Sequence, residues 1–479
     1  MSGMLPSSNK INIFILSVCL LLFLLIPFKN SIWYDESISV LCSKGINYDT
    51  HIQFDKATAI SSADITALNN TGNIFKATVM DNSNSYLYNI CMHFFTAVYG
   101  NSLTAYVLFS RLWGMAALVA LFFLARLLFG NNAFVSIAVV LLFADTTFWG
   151  MSNEIRAYSM GAFFVTLSAL YYFKYTLQKE SPVNLLLFGL SAVGAVLTHF
   201  FCAYIIAVFA LELLIKYRLS LFRKENLLSL FIPVAIVGLY FGMAYTGLSS
   251  QNIHTLVVDN GDANSFSLSG MVYRFIKFSA VNFKAVYPRF RDSWSVVVVS
   301  FLFIAGIYLY GIRMLAGNAA EKSKYRLLFI LGMVSGVFLA IISIKNHTFC
   351  SFYYRYFIFS YPFCALFIAM FLKTFREQHK MALTMAVKLL VIVPSVFLFT
   401  KGIIHPPATV NYNHMAVARE IVRSNITRIE VPSWDDALLV QSFLPANSNV
   451  TFVLNTTGQN FIIYKGNTTE VIPVIRHDS

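Results

Sequence analysis

Two adjacent carboxylates, in Trp33-Tyr34-Asp35-Glu36, directly follow the first apolar run of this chain. A pair of acids at a membrane interface can act as an acid/base or metal pair; the plain alternative is a solvated helix exit flanked by belt aromatics. A second constellation is Ser152-Asn153-Glu154-Ile155-Arg156-Ala157-Tyr158, in a turn between apolar runs. There Arg156 opens an apolar segment. An arginine costs about 2.5–3.5 kcal/mol at mid-membrane and less at the edge, so this one either snorkels beside Glu154 or meets a ligand. Arg111 lies inside another apolar run and needs an anion or a carbonyl. Arg355 stands in Phe352-Tyr353-Tyr354-Arg355-Tyr356 and His199 in Thr198-His199-Phe200. Taken singly, these two read as an interface anchor and a hydrogen-bonded turn histidine. Arg274, Lys277, Lys284, Arg289 and Arg291 make the segment 247–293 basic, a pattern that suits a lipid phosphate or a solvated surface.

Such residues need elements to position them, and the composition says which kind. The chain has 479 residues, of which 57% are hydrophobic and 12% charged. Its mean hydropathy is +0.66. Soluble domains carry about 25% charged residues, so little of this surface faces water. The apolar residues come in runs, and a run of about 20 spans the hydrocarbon as a helix that satisfies its own backbone. Window reading gives about eleven spans, with cores near 11–28, 104–126, 131–149, 157–177, 183–198, 200–216, 228–246, 294–315, 326–344, 354–373 and 383–402. The first run lacks a small-x-small cleavage site and reads as a permanent helix, not a signal peptide. The stretch 183–217 is too long for one span and is divided at His199.

The net charge of +13 would suggest nucleic acid in a soluble protein. Here Lys and Arg sit mostly in short loops between apolar runs, so they set orientation and no nucleic acid partner is expected. The basic loops place the N-terminus in the cytoplasm. The long segments 29–103 and 247–293 and the tail then share the opposite, external face. Tyr86–Tyr99 is too short to span and reads as an interfacial helix. The tail carries a helix at 413–423, strands near 429–431, 450–454 and 461–464, and a helix at 434–443. The expected architecture is therefore an all-α polytopic membrane domain, residues 1–407, followed by a small external α/β domain, residues 408–479. Six cysteines, at 19, 42, 91, 202, 350 and 364, form no CxxC pair, so neither zinc nor redox chemistry is indicated.

All the candidate side chains fall on the external face. One chemistry fits that set: sugar transfer from a polyprenyl-phosphate donor. Its leaving group is an anion that needs no proton, so one carboxylate serves as base and cations stabilise the departing phosphate.

The chain resembles the integral membrane C-type glycosyltransferases, in the branch holding protein O-mannosyltransferases and the lipid A aminoarabinose transferase. The resemblance rests on Trp33-Tyr34-Asp35-Glu36, Asp81 followed by Tyr86-Leu87-Tyr88 and His93, Gly100, Arg111-Leu112-Trp113-Gly114, Glu154-Ile155-Arg156-Ala157-Tyr158-Ser159, Thr198-His199-Phe200 and Arg355-Tyr356. It covers about residues 10–205 well and the rest loosely; order and spacing carry it. It implies a lipid-linked sugar donor, inversion at the sugar carbon and an external active site. Asp35 matches the catalytic carboxylate, with Glu36 beside it. Glu154 matches a second acid for acceptor or metal contacts. Arg111, Arg156, Tyr158, His199, Arg355, Tyr88, Lys284 and Arg289 become substrate-binding candidates. The Pro-Pro pair usual before the interfacial helix is Asn84-Ser85 here, which leaves the acceptor side open. Asp35, Glu36, Glu154 and His199 offer oxygen and nitrogen ligands to a divalent metal, but their spacing does not demand one. The implied setting is a bacterial inner membrane, with a lipid, glycan or protein as acceptor. A flippase of lipid-linked sugars and a non-catalytic assembly subunit are the competing readings; a proton-coupled carrier would need acids along its spans, where Asp145 is the main one.

Overall fold

The computed structural model describes the chain apart from residues 1–7, 26–33, 47–56, 68–72, 81–84, 179, 249–266, 284–293, 347–353, 380–413, 446–447, 456–459, 466–467 and 474–479. Helix α1 (Ser8–Leu25) is followed by α2 (Tyr34–Ser43), a short strand β1 (Ala59–Ser61), α3 (Ser62–Ala67), α4 (Asn73–Met80) and α5 (Tyr86–Tyr99). The helical body continues with α6 (Leu103–Phe129), α7 (Ala133–Phe143), α8 (Thr146–Ser152), α9 (Tyr158–Leu177), α10 (Pro182–Thr198), α11 (Ala203–Tyr217) and α12 (Lys224–Leu248). It ends with α13 (Leu268–Asn282), α14 (Trp294–Met314), α15 (Ala319–Asn346) and α16 (Tyr361–Gln378). The tail holds α17 (His414–Arg423), β2 (Arg428–Val431), α18 (Trp434–Ser442), β3 (Thr451–Leu454), β4 (Asn460–Lys465) and β5 (Thr468–Pro473).

This is a mostly helical integral membrane protein with a small sheet. Among the described residues, six helices are long and apolar enough to cross a bilayer, or seven if α7 and α8 form one bent span. That is fewer than the eleven expected from the sequence. Residues 383–402, the last expected span, lie outside the described residues. Helix α10 is apolar but has 17 residues, about 25 Å at 1.5 Å per residue, short of a hydrocarbon core of about 30 Å. Helix α9 is long enough, but its tyrosines, Thr166 and Lys174 dilute its apolar character.

Two features inside the helical body shape the site. The expected span 131–149 breaks between α7 and α8, which meet at 63°. The break is at Asp145, whose Oδ1 accepts the Phe148 N–H at 2.7 Å and so caps α8. Asp145, the main acid within the expected spans, thus caps a helix. The stretch 182–217 divides at His199, as its length requires. There the backbone turns extended (φ −158°, ψ 119°), and His199 Nδ1 accepts the Phe201 N–H at 3.2 Å.

Helices α6, α9 and α10 pack side by side, with α7 and α16 behind them. Gly161 on α9 lets this packing close, because a Cβ there would stand 2.6 Å from the Phe359 ring. The sheet has the order β1-β3-β2-β4-β5, with β2 and β3 parallel and the other pairs antiparallel. In the tail, α17, β2, α18, β3 and β4 form where the sequence places them, whereas β5 was not expected. One edge strand, β1, comes from the segment between α2 and α3, pairing Ala59 with Val453 and Ser61 with Thr451. Leu41, Ile46, Ile60 and Ile65 join Val417, Ile429, Leu438 and Phe452 in one apolar core, so the end of α2 is anchored in the sheet.

Candidate active site

Asp35 and Glu36 occupy the first turn of α2, the positive end of its dipole. Successive helical residues diverge by about 100°, so the two acids face different surroundings. Glu36 is fully buried and its Oε1 accepts the Ile155 N–H at 2.7 Å. Asp35 points the other way: its Oδ2 accepts from Arg355 Nη1 at 2.8 Å. Arg156 closes on the same turn, donating from Nη1 to the Asp35 carbonyl at 2.9 Å and to Ser39 Oγ at 3.1 Å. One carboxylate thus lies beside two guanidiniums drawn from distant parts of the chain.

The turn carrying Glu154 and Arg156 is fixed from below. Asn153 Oδ1 accepts from Arg111 Nε at 2.9 Å and also from Arg111 Nη2, while Asn153 Nδ2 donates to the Trp149 carbonyl at 2.8 Å. Arg111 is fully buried and reaches the Leu24 carbonyl at 3.4 Å as well. The acceptors that an arginine in an apolar run requires are therefore an amide and a backbone carbonyl. Glu154 is half-buried beside Tyr88. The Tyr88 hydroxyl shares a 2.7 Å hydrogen bond with Ser110 Oγ, and burial pushes its pKa up. Ser159 Oγ donates to the Ser110 carbonyl at 2.8 Å, tying α9 to α6 at this level.

An aromatic wall completes the cluster. The His199 ring lies 5.7 Å from Tyr158, 6.2 Å from Tyr356 and 5.1 Å from Phe359. Arg156 stacks over Tyr158 at 5.9 Å and Arg355 over Tyr356 at 5.1 Å. Burial, with the charges of Arg156 and Arg355 adding to it, pushes His199 down to about 3. The imidazole is neutral at physiological pH, and with Nδ1 accepting from Phe201 its proton resides on Nε2. The Tyr158 hydroxyl and Thr198 Oγ1 are buried with no hydrogen-bond partner among the described residues. An unsatisfied Tyr158 hydroxyl beside two arginines calls for a polar ligand.

The structure therefore gathers Asp35, Arg156, Tyr158, His199 and Arg355, with Glu154 and Tyr88 on the adjoining side. Arg111 and Glu36 lie beneath, engaged with the 153–156 turn. Lys284 and Arg289 lie outside the described residues. Ser39, Asn153 and Ser110 escaped the sequence reading. Ser39 had a signal, since it follows Asp35 by one helical turn. Among the described residues, no three His, Cys, Asp or Glu side chains converge as a metal site. Of the donors considered for one, Asp35 bonds Arg355 and Glu36 a backbone amide.

No protein-family model matches the chain, and no curated protein matches its sequence. Solved structures do match in fold. The apo oligosaccharyltransferase of Archaeoglobus fulgidus aligns over 91% of this chain and 65% of its own, with a TM-score of 0.50 and 11% identity. The same archaeon's oligosaccharyltransferase AglB, in complex with an inhibitory peptide and a dolichol-phosphate, aligns over 93% of this chain and 64% of its own, with a TM-score of 0.48 and 12% identity. ArnT from Cupriavidus metallidurans, bound to undecaprenyl phosphate, aligns over 94% of this chain and 87% of its own, with a TM-score of 0.45 and 12% identity. This chain thus spans under two thirds of the archaeal enzyme's length. The fold is the one that the resemblance to C-type glycosyltransferases implied.

Proposed function

We propose that this chain is a membrane glycosyltransferase that moves a sugar from a polyprenyl-phosphate donor to an acceptor hydroxyl at the external, periplasmic face of a bacterial inner membrane, with inversion. The observation that carries the reading is the Asp35 carboxylate within 2.8 Å of Arg355, with Arg156 held on the backbone carbonyl of the same residue. A transferase of this kind needs one base and a cationic seat for the leaving phosphate, and here they are adjacent. The fold supports the reading as analogy, while the side chains supply its chemistry.

The step balances without outside reagents. The donor phosphate draws Arg355 from Asp35. Asp35 takes the proton of the acceptor hydroxyl as its oxygen bonds to the anomeric carbon from the side opposite the phosphate. The bond from that carbon to the phosphate oxygen breaks, its electron pair leaving with the polyprenyl phosphate. Arg355 and Arg156 stabilise the developing charge, with Lys284 and Arg289 proposed as further cations for the phosphate. Tyr158, Thr198 and the Nε2–H of His199 bond the donor's sugar or phosphate oxygens. Glu154 and Tyr88 face the acceptor. Glu36 and Arg111 act as positioning residues, holding the 153–156 turn against α2.

The test compares wild type with Asp35→Asn, supplying labelled polyprenyl-phosphate sugars to membrane lipid, glycan and protein acceptors. Loss of a positioned base lowers transfer by roughly 10²–10⁴-fold. The variant should keep its thermal midpoint and donor affinity. Equal transfer by both proteins sinks the assignment. Donor binding by both with transfer by neither moves the reading to transport or assembly.

A further inference from the structure

The other end of α2 carries a second polar site, away from Asp35. Lys44, just past the last turn, is 8% exposed and sits against the sheet. Its Nζ donates to the Ser442 carbonyl at 2.6 Å. That is one of the three hydrogen bonds an ammonium can make, and among the described residues no carboxylate pairs with it. The ammonium borders a cavity of about 40 Å³ between the first external segment and α18, lined also by Gln441, Thr66 and Asn101. Gln441 is 6% exposed, and its Oε1 is buried with no hydrogen-bond partner among the described residues. Thr66 Oγ1 donates to the Ser62 carbonyl at 2.7 Å, which leaves its lone pairs to accept. Asn101 Oδ1 accepts from the Tyr106 hydroxyl at 3.2 Å, which leaves its amide to donate.

The cavity is wide enough for more than one water-sized group and polar enough to hold them. Its polarity is divided. Lys44 and the Asn101 amide present donors, and Gln441 Oε1 and Thr66 Oγ1 present acceptors. A simple anion satisfies only the first half. A carboxylate with a neighbouring hydroxyl satisfies both. An ammonium this deep, pushed down to about 8 by burial, gains most from an anionic partner.

We propose that this seam is a binding site for a small hydroxycarboxylate, with the carboxylate on Lys44 and the hydroxyl donating to Gln441. The site is separate from the Asp35 cluster and does not depend on the transferase reading. The ligand is either a free hydroxy acid or the acid group of a sugar in a glycan.

The test uses the purified full chain in nanodiscs, measuring thermal stabilisation and binding of labelled glycolate. Glycolate should stabilise more than acetate, and the uncharged methyl glycolate should do nothing. Lys44→Met should weaken glycolate binding roughly tenfold to a hundredfold. Gln441→Leu should erase the preference for glycolate over acetate. Gln441→Glu places a tethered carboxylate in the cavity; it should raise the thermal midpoint and abolish the glycolate response, which decides the matter if Lys44→Met fails to fold. Methyl glycolate matching glycolate, or an undiminished response in Gln441→Glu, overturns the proposal. Displacement of glycolate by a glucuronate-bearing oligosaccharide at lower concentration identifies a glycan as the source; displacement only by small acids identifies a free ligand.

Discussion

Asp35–Arg355 and His414–Asp436 are two acid–base pairs with the same 2.8 Å separation and opposite settings. Asp35 and Arg355 keep 21% and 20% of their side chains exposed, whereas His414 and Asp436 keep 0% and 2%. Asp436 is used on both oxygens: Oδ1 meets His414 Nε2, and Oδ2 accepts from Ser433 Oγ at 2.7 Å while Ser433 caps α18. The Asp35 carboxylate, among the described residues, bonds Arg355 alone. A dry pair, its carboxylate engaged on both oxygens, joins α17 to α18 and gives a ligand no access. An accessible pair with lone pairs to spare can open for one. A carboxylate paired with a basic side chain is sealed in one region and reachable in the other, and coordination and access make the difference.

Breaking the dry pair should give the largest change in stability. Asp436→Ala leaves His414 and Ser433 facing a buried gap, a loss of roughly 2–5 kcal/mol. The thermal midpoint of the full chain should fall, while transfer per folded molecule at low temperature stays near wild type. Asp436→Asn keeps the shape and one of the two acceptor oxygens and should fall less. A variant that keeps its midpoint but loses transfer would erase the contrast between the two pairs.

Arg355→Lys tests the other pair. It keeps the charge but loses the planar fork and the stacking on Tyr356. Turnover should drop by about 100-fold with the thermal midpoint little changed. A large fall in stability with normal turnover would make this pair structural too. The readout is a KM-against-kcat split for donor: a phosphate seat used in the transition state lowers kcat more than it raises KM.

Much of this contrast was legible in the sequence, and the residues that were misplaced show why. Arg156 is costly in apolar surroundings and was marked by its position, whereas Arg355 and His199 were marked only by sharing a face with it. The helices of the tail and its strands β2, β3 and β4 followed from periodicity, while β5 was missed. Arg111 carries the same signal as Arg156, but spacing cannot say whether its acceptor is a ligand or Asn153. Asp35 and Glu36 differ only in which side of α2 they leave, and that is set by packing against the 153–156 turn. Strand β1 has three residues, too few for alternation to show, and it pairs with a partner almost 400 residues away. The bend at Asp145 was hidden because an acid in an apolar run reads equally as a buried charge or a cap. Helix α13, inside a segment taken as an external loop, had a readable stripe in Met271, Phe275 and Phe278.

The smallest effect concerns the neutral group between the charges. His199 sits near 3 when folded and near its ordinary 6.5 when unfolded, because burial and two arginines oppose its protonation. Below pH 6.5 the unfolded chain binds a proton that the folded chain refuses, so stability drains as pH falls from 6.5 toward 3, by at most about 1.4 kcal/mol per pH unit. Above 6.5 the stability is fully present. His199→Asn keeps an acceptor for the Phe201 N–H and removes the titration. Between pH 6.5 and pH 5 the wild type should lose roughly 2 kcal/mol more than this variant, seen as a steeper fall in thermal midpoint. Parallel profiles would mean that His199 takes up its proton freely in the folded state. The site would then be wetter than the Asp35 exposure implies, and the distinction from the dry pair in the tail would have to rest on coordination alone.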